Sequence, residues 1–416
     1  MKVFKFGGAS VKDANGVKNV LQVLRGEGIA EKLVVISAMG KTTNALEEVV
    51  KDYLQKGDFN DTLQPVKEFH REIMLGLFEI KEHEAFNAVR GLFQELENFL
   101  NHNRSTNYDF VYDQVVIYGE LLSTTIVSHF LNSKGVKNDF LDARFCIRTD
   151  STYRDAQVQW EETQAQIKLK VNPENLTITQ GFIGADPNNF STTLGREGSD
   201  YTAGIFAYCL NAHSVTIWKD VPGVLNADPR VFKDHHLLEQ ISYEEAIELA
   251  FYGASVIHPK TLQPLQRKEI PLFVKSFLNP ANPGTAVRKG QPILPKIPCF
   301  IVKKDQVLIS LSSLDFSFIL EKNISEIFSL FHKYQIKVDL IQNSAISFSV
   351  CIDNKFNNLE KLLSHLKATF RISYNTGVSL YTIRHFDEKA VQELEKEKKI
   401  LLKQTTRETV QIVAIP

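Results

Sequence analysis

A glycine pair close to the amino terminus could hold a phosphate group. Residues Lys5 to Ser10 read Lys-Phe-Gly-Gly-Ala-Ser, after a short β-like run and before a helix-like stretch that starts at Val11. Glycines let a phosphate approach the backbone, N–H groups at a helix start carry partial positive charge, and Lys5 adds a full charge. Ser10 with Asp13 fits a helix N-cap. An ordinary strand-to-helix turn has the same pattern, so this hexamer alone leaves both interpretations open.

Two further polar segments follow apolar runs that predict strands. The segment Ser37 to Asn44, after the run Leu33 to Ile36, offers hydroxyl groups and a glycine to a polar ligand, although a plain loop would look the same. Gly119-Glu120 follows the run Val115 to Tyr118, which predicts a third strand. A carboxylate at the carboxyl end of a strand could bind a substrate ammonium group, because ligands of open α/β sheets bind at those ends. A Glu that starts a helix is also common, so this pair alone leaves both interpretations open.

The strongest candidate segment covers residues 179 to 203. It combines glycines and pairs of hydroxyl residues with Arg196 and Asp200, just before an apolar helix. Arginine is suited to bidentate carboxylate recognition. A loop this rich in flexible and polar residues is costly to order unless it binds something, which favours a ligand site over a surface turn.

Residues 218 to 231 add charged groups at the end of another predicted strand. Lys219 and Asp220 precede a Pro-Gly turn, and Asp228 and Arg230 lie on the next loop. Cations near the phosphates of a nucleotide, with a carboxylate nearby, fit phosphoryl transfer. The sequence contains neither a P-loop motif nor the Gly-x-Gly-x-x-Gly dinucleotide fingerprint.

Composition limits the other classes of function. The chain has 416 residues, 43% apolar and 23% charged, with 48 Lys and Arg against 49 Asp and Glu, so charge gives no argument for nucleic acid or an anionic membrane. No apolar run reaches transmembrane length and no signal peptide is evident, so a cytoplasmic location is expected. The 11 histidines lack metal-ligand spacing and the four cysteines lie far apart, which predicts a reduced chain without a metal site.

The pattern of strands and helices changes along the chain. Up to residue 288, strands alternate with helices, which is typical of α/β proteins with a parallel sheet. Residues 279 to 298 are rich in proline and glycine and predict a linker or a domain edge. Beyond them, short strands and three helices predict a smaller α+β unit.

These clusters, together with Phe251 to Pro259, resemble the amino acid kinase superfamily and, within it, the aspartokinases. The resemblance implies a three-layer α/β/α catalytic domain with a mainly parallel sheet over residues 1–288. It also implies a smaller α+β, ACT-like (ferredoxin-like) regulatory region over residues 299–416, whose second ACT unit is expected to be truncated.

The resemblance implies MgATP-dependent phosphorylation of the side-chain carboxylate of L-aspartate, giving 4-phospho-L-aspartate on the route to lysine, threonine, methionine and isoleucine. Lys5 and Asp200 would be catalytic, with Asp200 organising Lys5. Aspartate would be held by Thr43, Glu120, Arg196 and Ser199, with Arg196 on the α-carboxylate and Glu120 on the ammonium group. ATP, with its Mg²⁺, would be held by Lys5, Gly7, Gly8, Ser10, Lys219, Asp220, Leu225, Asp228 and Arg230.

Four positions depart from the pattern of the family. Ala9 stands where Thr is usual, Glu197 replaces a common Gly, Leu225 replaces a frequent Tyr, and Ser255 replaces a frequent Lys. None of these changes removes Lys5, Arg196 or Asp200, so activity is still expected.

The carboxyl-terminal region leaves its effector open. The resemblance points to Asp339, Asn343 and Ser344 as regulatory residues and to a homodimer through the ACT-like region. Gln335, Asn343 and Ala345 differ from the usual effector loop, so lysine, threonine or no effector are all open. Two rival functions remain: another kinase of the superfamily, acting on glutamate, acetylglutamate or a nucleoside monophosphate, and a non-catalytic amino-acid sensor.

Overall fold

The computed structural model describes residues 1–80, 83–254, 257–315, 317–355, 357–396 and 398–415. The chain divides into two compact units. The first unit contains Met1–Val224, Leu237–Ile247 and Val256–Leu294, and the second contains Leu225–His236, Glu248–Ser255 and Pro295–Pro416.

An eight-stranded sheet forms the centre of the first unit. Its strand order is β3-β4-β2-β1-β7-β9-β10-β8, and the neighbouring strands are parallel except for the antiparallel pair β9 and β10. A separate antiparallel hairpin consists of β5 and β6. The strands are β1 Lys2–Phe6, β2 Lys32–Ile36, β3 Asp139–Leu141, β4 Leu176–Gln180, β5 Ile183–Ala185, β6 Ser191–Thr193, β7 Val215–Lys219, β8 Gln240–Ser242, β9 Leu272–Ser276 and β10 Thr285–Arg288.

Helices cover this sheet. Every residue of β2 and β4 is buried, as expected for parallel strands covered on both faces. Helix α8 packs against β1, β2 and β7, and α6 packs against β2 and β4. The helices are α1 Ala14–Glu27, α2 Thr42–Leu54, α3 Phe59–Leu77, α4 Glu84–His102, α5 Tyr108–Val116, α6 Tyr118–Ser133, α7 Trp160–Lys170, α8 Gly198–Leu210, α9 Tyr243–Tyr252, which ends in the second unit, and α10 Pro259–Arg267.

The second unit is built on a six-stranded antiparallel sheet with the order β12-β13-β11-β14-β16-β15. Helices α11 and α12 bury Ile327, Phe331 and Leu362 in the core against this sheet. The elements are β11 Cys299–Ser313, α11 Glu321–Lys333, β12 Lys337–Asn343, β13 Ser347–Asp353, α12 Leu359–Leu366, β14 Phe370–Arg384, α13 Glu388–Glu395, β15 Lys399–Thr405 and β16 Thr409–Ile415.

Two expectations about local structure were wrong. The run Val115 to Tyr118 is not a strand, because it joins the buried helices α5 and α6. The first helix does not start at Val11: a 3-10 turn covers Gly8–Val11, and α1 is capped by Asp13, whose carboxylate accepts a hydrogen bond from the Gly16 N–H at 2.7 Å. Residues 279 to 298 contain strand β10, and the boundary between the two units falls among them, after Leu294. Within the described ranges, no helix has both the length and the apolar character needed to cross a membrane.

Candidate active site

The carboxyl ends of four neighbouring strands surround a cavity of about 470 Å³ in the first unit. Lys5 comes from β1 and Lys219 from β7, while Ala38 and Phe182 follow β2 and β4. This is the edge at which parallel α/β sheets bind ligands.

Two lysines share one buried carboxylate on this cavity. The Nζ atom of Lys5 lies 2.6 Å from Oδ1 of Asp200, and Nζ of Lys219 lies 3.4 Å from Oδ2. Burial disfavours a charge on Asp200, but the two lysines outweigh burial and hold the pKa of its carboxyl below the usual value. Asp200 therefore stays ionised and holds both ammonium groups at the cavity wall.

A glycine allows two loops to meet beside these lysines. A Cβ atom at Gly8 would lie 2.8 Å from the Ala38 carbonyl oxygen and 2.9 Å from that of Gly40, so no other residue fits without a backbone shift. The Gly40 N–H donates to the Gly8 carbonyl oxygen at 3.1 Å. Gly8, Ala38 and Gly40 all line the cavity, as a close approach of a phosphate to the backbone requires.

Two helices begin at the cavity. Thr43 lies in the first turn of α2, and Gly198 and Ser199 lie in the first turn of α8; all three line the cavity. The N–H groups of a helix start carry partial positive charge, so both ends favour an anion such as a carboxylate or a phosphate.

Glu120 is a buried carboxyl group on the same cavity. It lies in the first turn of α6, not at a strand end, and its Oε1 accepts a hydrogen bond from the Ala38 N–H at 3.3 Å. Its Oε2 is buried and has no hydrogen-bond partner among the described residues. Burial raises the pKa of Glu120 to about 8. A cationic donor from a ligand, such as an ammonium group, would pair with the unpartnered oxygen and favour the ionised form of this carboxyl.

Arg196 and Glu197 lie between β6 and α8. Both line the cavity, with Arg196 exposed and Glu197 partly buried. Glu197 has a φ of 53°, in the left-handed region that favours glycine. Burial raises the pKa of its carboxyl; the nearby Lys219 opposes this rise and Asp200 reinforces it.

Three of the residues expected to bind ATP lie near this site without lining the described part of the cavity wall. A Cβ atom at Gly7 would lie 3.4 Å from Nζ of Lys5. The buried Ser10 hydroxyl donates to the Trp218 carbonyl oxygen at 3.4 Å, and Asp220 is exposed.

Leu225, Asp228 and Arg230 belong to the second unit. The exposed Arg230 guanidinium pairs with the Asp228 carboxylate at 2.7 Å. The hydrogen bond from Arg230 lowers the pKa of Asp228. Ser255, the fourth departure from the family pattern, lies outside the described residues.

The structure adds two cavity residues that motif reasoning missed, Tyr112 and Arg154. Tyr112 lies in the helix α5 that was interpreted in part as a strand, and Arg154 lies in the loop before α7. Neither residue is part of a recognisable motif, and both reach the site only through contacts between distant segments.

The three residues expected to be regulatory lie on one strand and the turn after it. Asn343 and Ser344 line a cavity of about 350 Å³ in the second unit. The side chain of Asp339 is 2% exposed, and its Oδ1 lies 2.8 Å from Nζ of Lys303 and 3.2 Å from Nζ of Lys337. Its carboxylate is thus already paired with two lysines of this chain.

Comparison with known proteins decides the family. The model of the amino acid kinase family matches residues 1–276. The chain belongs to the amino acid kinase family. Within that family it groups with the aspartokinases: lysine-sensitive aspartokinase 3 of Escherichia coli strain K12 is 31% identical over 400 residues, which cover 92% of this chain and 86% of that protein.

Two solved structures of E. coli aspartokinase III extend the likeness to nearly the whole chain. The complex with lysine and aspartate (T-state) has a TM-score of 0.81 and 29% identity, and covers 99% of this chain and 95% of the other. The complex with aspartate and ADP (R-state) has a TM-score of 0.81 and 28% identity, and covers 100% and 96%. The expected fold class, a mainly parallel α/β kinase domain with an ACT-like region, is confirmed.

Proposed function

We propose that this family member is an aspartate kinase, which transfers the γ-phosphoryl group of MgATP to the side-chain carboxylate of L-aspartate and releases ADP. One observation carries the proposal: a single cavity holds both the Lys5–Asp200–Lys219 group and the unpartnered carboxyl oxygen of Glu120. The two lysines could bind a phosphoryl group, and the free Glu120 oxygen could bind the ammonium group of an amino acid. The relatives bound to aspartate, and to aspartate with ADP, support the same substrates.

Lys5 and Lys219 would neutralise the charge that builds up on the transferring phosphoryl group. Asp200 keeps their ammonium groups in place before the substrate arrives, so little reorganisation is needed during the reaction. The backbone at Gly8 would cradle the phosphates. The assignment of Gly7, Ser10, Asp220, Leu225, Asp228 and Arg230 to the nucleotide remains part of this proposal.

The amino acid would bind between Glu120 and Arg196. Its ammonium group would satisfy the free oxygen of Glu120, and its α-carboxylate would pair with Arg196. Thr43 and Ser199, in the first turns of two helices, would orient the reacting carboxylate toward Lys5.

The reaction would need no covalent enzyme intermediate and no general base. The side-chain carboxylate of aspartate is ionised at neutral pH, so one of its oxygens can attack the γ-phosphorus directly. The bond from that phosphorus to the β,γ-bridging oxygen breaks, ADP keeps the electron pair, and an acyl phosphate forms. Mg²⁺ arrives with ATP as part of the substrate.

The regulatory and quaternary assignments are further parts of the proposal. An amino-acid effector, lysine or threonine, would bind the second unit near Asn343 and Ser344, which line its cavity. Strand β12 is an edge of the six-stranded sheet and exposes Ile341, which supports pairing with the same strand of a second copy. Sedimentation of the full chain would test for the homodimer. The cytoplasmic location stays a prediction.

The experiment is trapping of the product with hydroxylamine, which converts an acyl phosphate into a hydroxamate. The full chain is incubated with MgATP and L-aspartate, with and without lysine or threonine, and hydroxamate and ADP are measured together. Equal amounts of hydroxamate and ADP, dependent on aspartate, are the expected result.

The alternative functions give different results in the same assay. Turnover with glutamate, acetylglutamate or a nucleoside monophosphate, and none with aspartate, would identify another kinase of the family. Amino-acid binding measured by calorimetry, without turnover of any acceptor, would identify a sensor and overturn the proposal.

A further inference from the structure

Arg154 brings an additional guanidinium group to the cavity. Its φ is 69°, although the left-handed region is unfavourable for residues with a Cβ atom. Such backbone conformations cluster at ligand sites, where the surrounding structure holds them.

A buried carboxylate fixes the backbone of Arg154. Oδ2 of Asp113 accepts hydrogen bonds from the Arg154 N–H at 3.0 Å and from the Thr193 N–H at 2.9 Å. Oδ1 of Asp113 accepts from the Thr193 hydroxyl at 2.7 Å, and Asp113 is fully buried. This arrangement ties the loop that carries Arg154 to strand β6, which precedes Arg196.

The side chain of Arg154 is held loosely enough to take a ligand. Its guanidinium carbon lies 4.3 Å from the ring centroid of Tyr112, which positions the group. Its nitrogens lie 3.4 Å from a carboxylate oxygen of Glu47 and 3.6 Å from one of Asp109. Both distances exceed those of strong charge-assisted hydrogen bonds, so a substrate carboxylate could form a shorter bond.

The residues that contact Arg154 show at which end of the cavity its side chain lies. Tyr112 is on α5, the helix directly before the one that carries Glu120, and Glu47 is on α2, the helix that carries Thr43. Glu120 is close enough to Tyr112 to influence its pKa, as is Arg154. Arg154 therefore belongs to the end where the amino acid would bind.

We propose that Arg154 is a specificity-determining residue that binds the α-carboxylate of the amino-acid substrate together with Arg196. The proposal rests on the proposed function. The ammonium group and the α-carboxylate share one carbon atom, so a carboxylate whose ammonium partner sits on Glu120 lies at the end of the cavity that holds Tyr112 and Arg154. The reacting carboxylate points the other way, toward Lys5.

The test is Arg154→Gly, which removes the guanidinium and leaves a residue for which a φ of 69° is unstrained. Aspartate affinity is measured by calorimetry and KM and kcat by hydroxamate formation. We expect the Kd and KM for aspartate to rise about tenfold, with kcat and the KM for MgATP within about twofold. Arg154→Lys, which keeps a positive charge, should recover part of the affinity.

Lys56→Gly is the matched control, because Lys56 is exposed, has a φ of 61° and lies outside the cavity lining. This variant should leave the Kd and the KM for aspartate unchanged. A second arm uses the α-amide of aspartate, which lacks the α-carboxylate and should bind the wild type and Arg154→Gly equally.

The outcomes separate this proposal from the proposed function. Absence of aspartate turnover by the wild type would contradict only the kinase assignment, because the calorimetric comparison does not depend on turnover. Equal aspartate affinity of the wild type and Arg154→Gly would overturn the role of Arg154. So would a fall in kcat at unchanged affinity, since this would indicate a structural role.

Discussion

The ammonium nitrogen of Lys5 lies 2.6 Å from a carboxylate oxygen of Asp200, and the two side chains are 10% and 2% exposed. Lys5 comes from the first strand and Asp200 from the start of α8, so the fold brings together groups 195 positions apart in the sequence. An ion pair removed from water is costly to form and is a weak source of stability. In the proposed reaction, the pair would hold a preorganised cation at the position where negative charge develops on the phosphoryl group.

We predict that Lys5→Ala lowers kcat for aspartate phosphorylation by about 10²- to 10³-fold, because it removes a preorganised transition-state donor. Circular dichroism and hydroxamate formation would be measured side by side. Lys2→Ala, at the exposed end of the same strand, is the control and should retain activity. A folded Lys5→Ala protein with full turnover would exclude Lys5 from catalysis.

The second prediction concerns pH. In the free protein the pKa of Glu120 is raised to about 8, so the group is mostly protonated at neutral pH. Only the carboxylate form pairs with a substrate ammonium group, so aspartate binding must expel this proton. The KM for aspartate should therefore fall up to about tenfold per pH unit as pH rises from 6 toward 8, and level off above that.

Glu120→Gln provides the control for this pH effect. Glutamine does not titrate, so the variant should bind aspartate weakly at every pH and lose the slope. Calorimetry in buffers of different ionisation enthalpy should show release of about one proton per aspartate at pH 7 for the wild type and none for the variant. A flat KM between pH 6 and 8 in the wild type would contradict the assigned role of Glu120.

Much of the fold could be predicted because strands alternate with helices and β2 contains a continuous apolar run, Leu33 to Ile36, which is typical of a strand buried on both faces. The same pattern misled at Val115 to Tyr118, because a fully buried helix and a buried strand share an unbroken apolar sequence. The helix N-cap at Asn107 is a better indication of a helix here than the apolar run is of a strand. Its side chain accepts hydrogen bonds from the N–H groups of Asp109 and Phe110 at the start of α5.

The residues of the candidate site likewise include some that could be predicted from the sequence and some that could not. Lys5, Glu120, Arg196 and Asp200 could be named from motifs and do line one cavity. Arg154 could not, because its position depends on hydrogen bonds between Asp113 and residues about 40 and 80 positions later, and no local pattern encodes such a contact.

The third prediction concerns Asp339 in the second unit. Asp339 lies at a break in the register of β12 and β13, and its carboxylate is paired with Lys303 and Lys337. Asp339→Asn would leave the largely buried Lys303 ammonium without its counter-charge, so we expect a loss of about 2 kcal/mol in stability. Scanning calorimetry would show this as a lower melting temperature.

Asp305→Asn is the matched control for this substitution. Asp305 is exposed, lies in the same unit and has a φ of 56°, which Asn tolerates well. The melting temperature of the Asp305→Asn variant should therefore not fall. Equal melting temperatures for the two variants would show that the Asp339 pairs add nothing to stability.

The last prediction concerns Glu197, whose carboxyl is close enough to Lys219, Asp200 and Lys5 to interact with their charges. In its charged form, the Glu197 carboxylate would repel a triphosphate bound in the same cavity. It would also weaken the electrostatic attraction between that triphosphate and the two lysines. Glu197→Gln removes the charge and keeps the side chain, so we expect the KM for MgATP to fall about threefold.

Glu197→Gly separates this charge effect from backbone strain. Glycine adopts the left-handed conformation freely, so the variant should share the lower KM and also gain about 1 kcal/mol of stability, which Glu197→Gln should lack. Thermal unfolding and MgATP titrations of both variants would measure the two effects independently. A higher KM for MgATP in Glu197→Gln would reverse the interpretation, because the carboxylate would then be a favourable contact for the metal-bound nucleotide.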